Sequence, residues 1–160
     1  MSAVGYHVVF DAARNGSQSL VLWMLIPVFP ALFVILGWAL AKSDDPQAVN
    51  KGKVFMLISG CGLALSLVAT ASNCVEYYRV RSALNGNDYR LVEGSVTDFD
   101  PMPHGGHGIE SFKVGSTSFR YGSGWGSIVF NSDWNHGYIH SGALVRIAFR
   151  NGDILRIELK

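Results

Sequence analysis

LVLWMLIPVFPALFVILGWALA, Leu20 to Ala41, runs for 22 residues without a charged side chain. As a helix it would reach about 33 Å, enough for a hydrocarbon core roughly 30 Å thick. A core helix of a small soluble domain keeps one polar face; this run is apolar on every side. Trp23 and Trp38 stand near its two ends, where indole rings favour the boundary between headgroups and acyl chains. Pro27 and Pro30 predict a kink inside a spanning helix rather than its end. A second uncharged run, Val54–Val75 (VFMLISGCGLALSLVATASNCV), has smaller residues. Gly60 with Ala64, and Gly62 with Ser66, have the four-residue spacing that lets helices approach closely in lipid. Its simplest use is to pack this helix against the first as a hairpin; an oligomerisation seam is the alternative.

The polar connection Lys42–Lys53 (KSDDPQAVNKGK) is too short to fold alone. A tail over residues 1–18, a transmembrane hairpin over 19–75, a linker over 76–89 and a β-rich domain over 90–160 follow as the expected organisation. Two spans would put both ends of the chain on one side. Lys42, Lys51 and Lys53 in the connection, against Arg14 alone in the tail, point to a cytoplasmic connection and a periplasmic C-terminal domain; Arg79, Arg81 and Arg90 pull the other way. Ala39-Leu40-Ala41 has the small-x-small form of a signal-peptide cleavage site. The apolar stretch is nevertheless longer than a signal core of ~7–15 residues, and the leading tail has one Asp against one Arg. Retention is the expectation.

Composition narrows the function classes. Apolar residues make up 49% and formal net charge is +1, with mean hydropathy +0.22. From Glu76 onward nine Lys/Arg balance nine Asp/Glu, so no basic groove for nucleic acid is expected. Cys61 and Cys74 both lie in the second apolar run, which removes disulfides and cysteine-bound zinc from the second half.

After Arg90 the period changes from that of a helix to that of a strand. Leu91–Phe99 (LVEGSVTDF) nearly alternates, and Glu110–Val114 and Thr117–Tyr121 flank Gly115-Ser116, a pair suited to a tight turn with glycine first. Ala143–Arg150, Asn151-Gly152 and Asp153–Lys160 read as an Asn-Gly hairpin. Val145, Ile147 and Phe149 share one face of its first strand, and Leu155, Ile157 and Leu159 one face of its second. Ser127–Asn131 (SIVFN) reads as a further strand. Five or six short strands must protect their edges, most simply by curling into a small barrel of the OB or SH3 type. The linker Glu76–Tyr89 is expected to extend the second helix past the membrane, with Asn85-Gly86-Asn87 ending it and Tyr77 and Tyr78 at the membrane interface. The fold class is thus α+β: a two-helix transmembrane hairpin followed by a small antiparallel barrel-like domain.

The pattern Gly94-x-Val96, Asp100-Pro101-x-Pro103, Gly106-His107-x-x-Glu110-Ser111-Phe112-x-Val114 and Gly142-x-x-Val145-Arg146-Ile147 resembles a group of small uncharacterised bacterial membrane proteins. These pair two spans with a short β domain. The resemblance covers most of residues 90–160, and it implies a bacterial inner-membrane setting and no particular activity.

Two histidine clusters are candidates for chemistry. His104, His107 and Glu110 fall at three-residue steps in a glycine-rich segment, and two imidazoles with a carboxylate can hold a divalent metal such as zinc with one position left for water. The spacing matches no zinc signature, and loop histidines in a turn-rich domain are the simpler reading for these and for His136 and His140. Ser123-Gly124-Trp125-Gly126-Ser127 lacks the nucleophile-elbow order, no phosphate-binding loop is present, and Asp98 and Asp100 read as turn residues before Pro101. Of the aromatics Tyr121, Trp125, Phe130, Trp134 and Tyr138, Phe130 is expected in the core and Trp125 and Trp134 are open to either a core or a contact role. The leading expectation is therefore a non-enzymatic, membrane-anchored interaction or accessory module of the cell envelope, without a cofactor. Its partners would be the bilayer and a protein or a second copy of the chain. A metal-dependent hydrolase or metal-handling protein using His104, His107 and Glu110 is the rival. A channel is disfavoured because neither span holds an ionisable residue to mark an ion path.

Overall fold

The computed structural model describes residues 5–102, 108–124 and 126–160. The chain is α+β. In order it forms β1 (His7–Asp11), α1 (Ala12–Leu25), α2 (Val28–Leu40), α3 (Pro46–Asn85), β2 (Arg90–Asp100), β3 (Ile109–Val114), β4 (Thr117–Gly122), a 3-10 turn (Ser132–Trp134), β5 (Leu144–Arg150) and β6 (Asp153–Leu159). Two compact units result: Leu20–Glu76, and Met1–Ser19 together with Tyr77–Lys160.

Both long helical segments, Ala12–Leu40 and Pro46–Asn85, are long and apolar enough to cross a membrane. The first is interrupted at Ile26-Pro27, because Pro27 and Pro30 donate no N–H to the helical ladder. The second starts earlier than its apolar run. Asp45 Oδ1 accepts the Gln47 N–H at 2.9 Å, and Pro46 fills the first helical position. The expected connection Lys42–Lys53 therefore shrinks to a turn before Pro46. The helices approach closely at Gly37 and Gly52: a Cβ on Gly52 would lie 2.6 Å from Ala41 N and 2.7 Å from Gly37 O. Gly62 faces the Pro30 side chain more loosely, and a Cβ on Gly60 would meet nothing within 4 Å. Thr70 Oγ1 donates to Trp23 O at 2.9 Å, and Phe33 and Phe55 meet edge to face.

The other unit is built on a six-stranded antiparallel sheet in the order β1-β6-β5-β2-β3-β4. Its turns follow from local chemistry. Gly115 has φ +59 in the two-residue β3–β4 turn, and Asn151 and Gly152 are both left-handed in the β5–β6 turn. At the end of α3, Asn87 rather than Gly86 adopts the left-handed conformation (φ 54), and the Asp88 N–H reaches back to Ala83 O at 2.9 Å.

Several expectations change here. The tail contributes β1, four of whose five residues pair with β6 on either side of a bulge at Val8/Phe10. That irregularity hid a period of two in so short a stretch. The linker 76–89, by contrast, continues the second helix as far as Asn85, in keeping with the expected stop at Asn85-Gly86-Asn87, and buries Tyr77, Val80, Ala83 and Leu84. The sheet is not a barrel: β1 and β4 are its edges. Ser127–Asn131 joins no ladder among the described residues; Phe130 instead stands between Phe10 on β1 and Tyr121 on β4, with ring centroids 5.1 and 5.0 Å away. One backbone bond, Phe130 N–H to Ile154 O at 3.2 Å, ties this segment to β6. Phe149 pairs with Ile154 because Leu155 is the extra residue of a bulge, so Ile154 and Leu155 are both buried. Asp98 and Asp100 belong to β2, where Asp98 has φ 49 at a shift in register.

Candidate functional site

The most buried polar cluster joins β3, β4 and the segment after the 3-10 turn. Glu110 and Tyr121 are cross-strand partners, and both are buried. Asn135 Nδ2 lies 3.2 Å from Glu110 Oε2 and 3.3 Å from Tyr121 Oη. Its Oδ1 accepts the Ile139 N–H at 2.9 Å. Asn131 builds the turn that delivers Asn135. Its Oδ1 accepts from the N–H groups of Asp133 and Trp134, and its Nδ2 donates to Gly124 O at 2.7 Å. Burial first, and then the hydrogen bond and charge of Glu110, raise the Tyr121 pKa above its ordinary value. The phenol stays neutral and the cluster is tied internally, which suits a fixed core bond better than proton transfer.

Of the proposed metal ligands, Glu110 is this buried carboxylate; His104 and His107 lie outside the described residues. His136 and His140 are exposed. The His136 ring packs against Tyr138, and His140 Nδ1 sits 3.1 Å from Gly137 O. Among the described residues no three His, Cys, Asp or Glu side chains converge as a metal would require. Trp125 also lies outside the described residues. Phe130 is in the core, as expected, and Trp134 is half-buried on Phe10.

Beside the cluster, between β4 and the first residues of β6, lies a cleft of about 240 Å³. Arg120, Ser123, Asn131 and Ile154 are among its walls. It marks the gap in the sheet, since β1 pairs with β6 only from Arg156 onward. Ser118 and Arg120 on β4 point outward, whereas Phe119 and Tyr121 point into the core.

A second arrangement occupies the outer face of the sheet. Arg146 is bound by Glu93 at 2.7 Å and approaches Glu158 at 3.6 Å; Tyr6 Oη donates to Glu93 at 2.9 Å, with the Arg146 guanidinium 4.4 Å from the Tyr6 ring centre. The hydrogen bonds from Arg146 and then Tyr6 hold the Glu93 carboxyl below its ordinary pKa. Neither Asn135 nor this quartet stands out in the amino-acid sequence. An asparagine before Ser-Asp-Trp is a legible turn signal, but the partners of Asn135 and of Glu93 are set by strand register.

No protein-family model, curated protein or solved structure matches this chain.

Proposed function

We propose that this chain is a two-span protein of the bacterial inner membrane whose antiparallel domain is a non-enzymatic interaction module, with the domain on the periplasmic side. Apolar exposure supports the spans. None of the most apolar 18-residue window of α3 is buried, and Leu57, Leu65 and Val68 are each about two-thirds exposed or more. Leaving those side chains in water would cost about 1.5–3 kcal/mol each relative to an apolar surrounding. Lipid removes that cost.

The observation that carries the binding role is the open sheet. β4 offers a six-residue edge at the mouth of a cleft, and an extended segment of a protein partner would add to it as a further strand. Long unprotected edges are otherwise a hazard of aggregation, so a bound occupant gives the edge a use.

A photo-crosslinking side chain placed at Ser118 or Arg120 in native membranes should yield a discrete heavier adduct. The same probe at the exposed Arg90, on the interior strand β2, should not. Recovery of the chain in the membrane pellet with no adduct at either β4 position rejects the binding role; recovery in the supernatant rejects the spans themselves.

A further inference from the structure

Four basic side chains of the antiparallel unit are matched by carboxylates within the fold. Arg146 is held by Glu93 and Glu158, Arg150 by Asp88, Arg156 by Asp11, and Lys113 by Asp98. Arg90 and Arg120, on the sheet, have no such partner among the described residues, and neither do three arginines on the helices. Arg14 in the first turn of α1, and Arg79 and Arg81 near the end of α3, are all exposed. None of the three guanidinium groups has an ion-pair or hydrogen-bond partner among the described residues.

Their placement is fixed by the helices that carry them. Tyr77 Oη donates to Ala13 O at 3.2 Å, beside Arg14, and a Cβ on Gly16 would lie 3.5 Å from the Tyr77 ring. The start of α1 and this part of α3 are thus held side by side. Burial of Tyr77, Val80, Ala83 and Leu84 sets the rotation of α3, which leaves Tyr78, Arg79 and Arg81 facing outward. Arg79 and Arg81 follow the last residue of the second apolar run, Val75, by about 6 and 9 Å of helical rise; Arg14 precedes Leu20 by about 9 Å. The headgroup layer is roughly 5–8 Å deep on each side of a bilayer, within reach of an arginine side chain from those positions.

We propose that Arg14, Arg79 and Arg81, with Tyr78 between them, form a collar that binds the phosphates of anionic lipids and enriches those lipids around the protein. The inference rests on the two spans proposed above. A guanidinium offers phosphate a two-pronged donor, tyrosine favours the interfacial layer, and each basic side chain near an anionic surface strengthens attraction by about fivefold at most.

The test uses the full chain reconstituted in phosphatidylcholine bilayers with trace spin-labelled phosphatidylglycerol or phosphatidylcholine, read by electron paramagnetic resonance. The wild type should immobilise a several-fold larger fraction of the phosphatidylglycerol label than of the phosphatidylcholine label. The R14Q/R79Q/R81Q variant should immobilise the two equally, and the corresponding triple lysine variant should recover part of the preference. Equal immobilisation by the wild type overturns the collar, as does an undiminished preference in the glutamine variant. Absence of an immobilised component for either label overturns the spans, and so separates that failure from the collar's.

Discussion

Phe130 fills the gap in the sheet with a side chain instead of a strand. Its ring is almost wholly buried between Phe10 and Tyr121, which stand on the two edge strands. Phe130→Ala should therefore destabilise the antiparallel unit by about 3–5 kcal/mol, the range for a buried phenylalanine. Urea unfolding of the detergent-solubilised chain, followed by tryptophan fluorescence, checks this; a loss below about 1 kcal/mol would mean that the gap is not closed by this ring. Glu93 tests the outer face. Arg146 and Tyr6 depress its folded pKa, so the stability they confer is fully present above the ordinary glutamate value of about 4.3. It is lost as pH falls through the lower folded value. Glu93→Gln should leave a chain less stable at neutral pH whose remaining acid sensitivity is flatter, measured as melting temperature against pH. The hydrophobic character of Phe130 could be read from sequence, but its position between two edges could not. That position depends on a pairing between residues near position 10 and residues near position 157, a separation at which local pattern carries no information.

Among the elements, those whose chemistry is local were the most legible. The two hairpin turns, the end of α3 and the apolar cores of both long helices follow from neighbouring residues: Gly115, Asn151-Gly152, Asn85-Gly86-Asn87 and the uncharged runs. β1 was not legible, because five residues with a bulge give no clear period. Neither was the bulge at Leu155, which exchanges the partner of Phe149 without altering the alternating composition of β6. The helix crossing is another such case. Four-residue spacing points to Gly60 and Gly62, yet of the glycines on these helices it is Gly37 and Gly52 at which the backbones approach closely. Gly52→Ala should push α2 and α3 apart, because backbone atoms that cannot swing aside lie 2.6–3.0 Å from the new methyl. The expected cost is about 1–3 kcal/mol. Gly60→Ala meets open space and should be neutral or stabilising by up to about 1 kcal/mol through helix propensity. Resistance to unfolding in a sodium dodecyl sulfate titration compares the two; equal effects would place the close approach elsewhere.

For the molecule as a whole, the sheet constrains how the chain can lie in a bilayer. β1 precedes the first apolar helix and β6 follows the second, yet the two are hydrogen-bonded neighbours. Strands in one ladder occupy one compartment, so the chain between them must cross an even number of times. Two spans satisfy this, whereas a single span would part β1 from β6. Signal-peptide cleavage after Ala41 would remove β1 from the same ladder and with it the fully buried Phe10. Losing that residue would uncover Phe130 and leave β6 as a new edge, in the region where the fold is already open. The chain isolated from membranes should therefore keep residues 7–11, seen as an intact mass that includes them. Compartment reporters fused before β1 and after β6 should also agree with each other, both active outside the cytoplasm if the lysines between the spans remain inside. Agreement on the cytoplasmic side would reverse the orientation and leave the fold untouched. Disagreement between the two reporters would break the β1–β6 ladder itself, because no arrangement of the sheet places its edge strand and that strand's neighbour on opposite faces of a membrane.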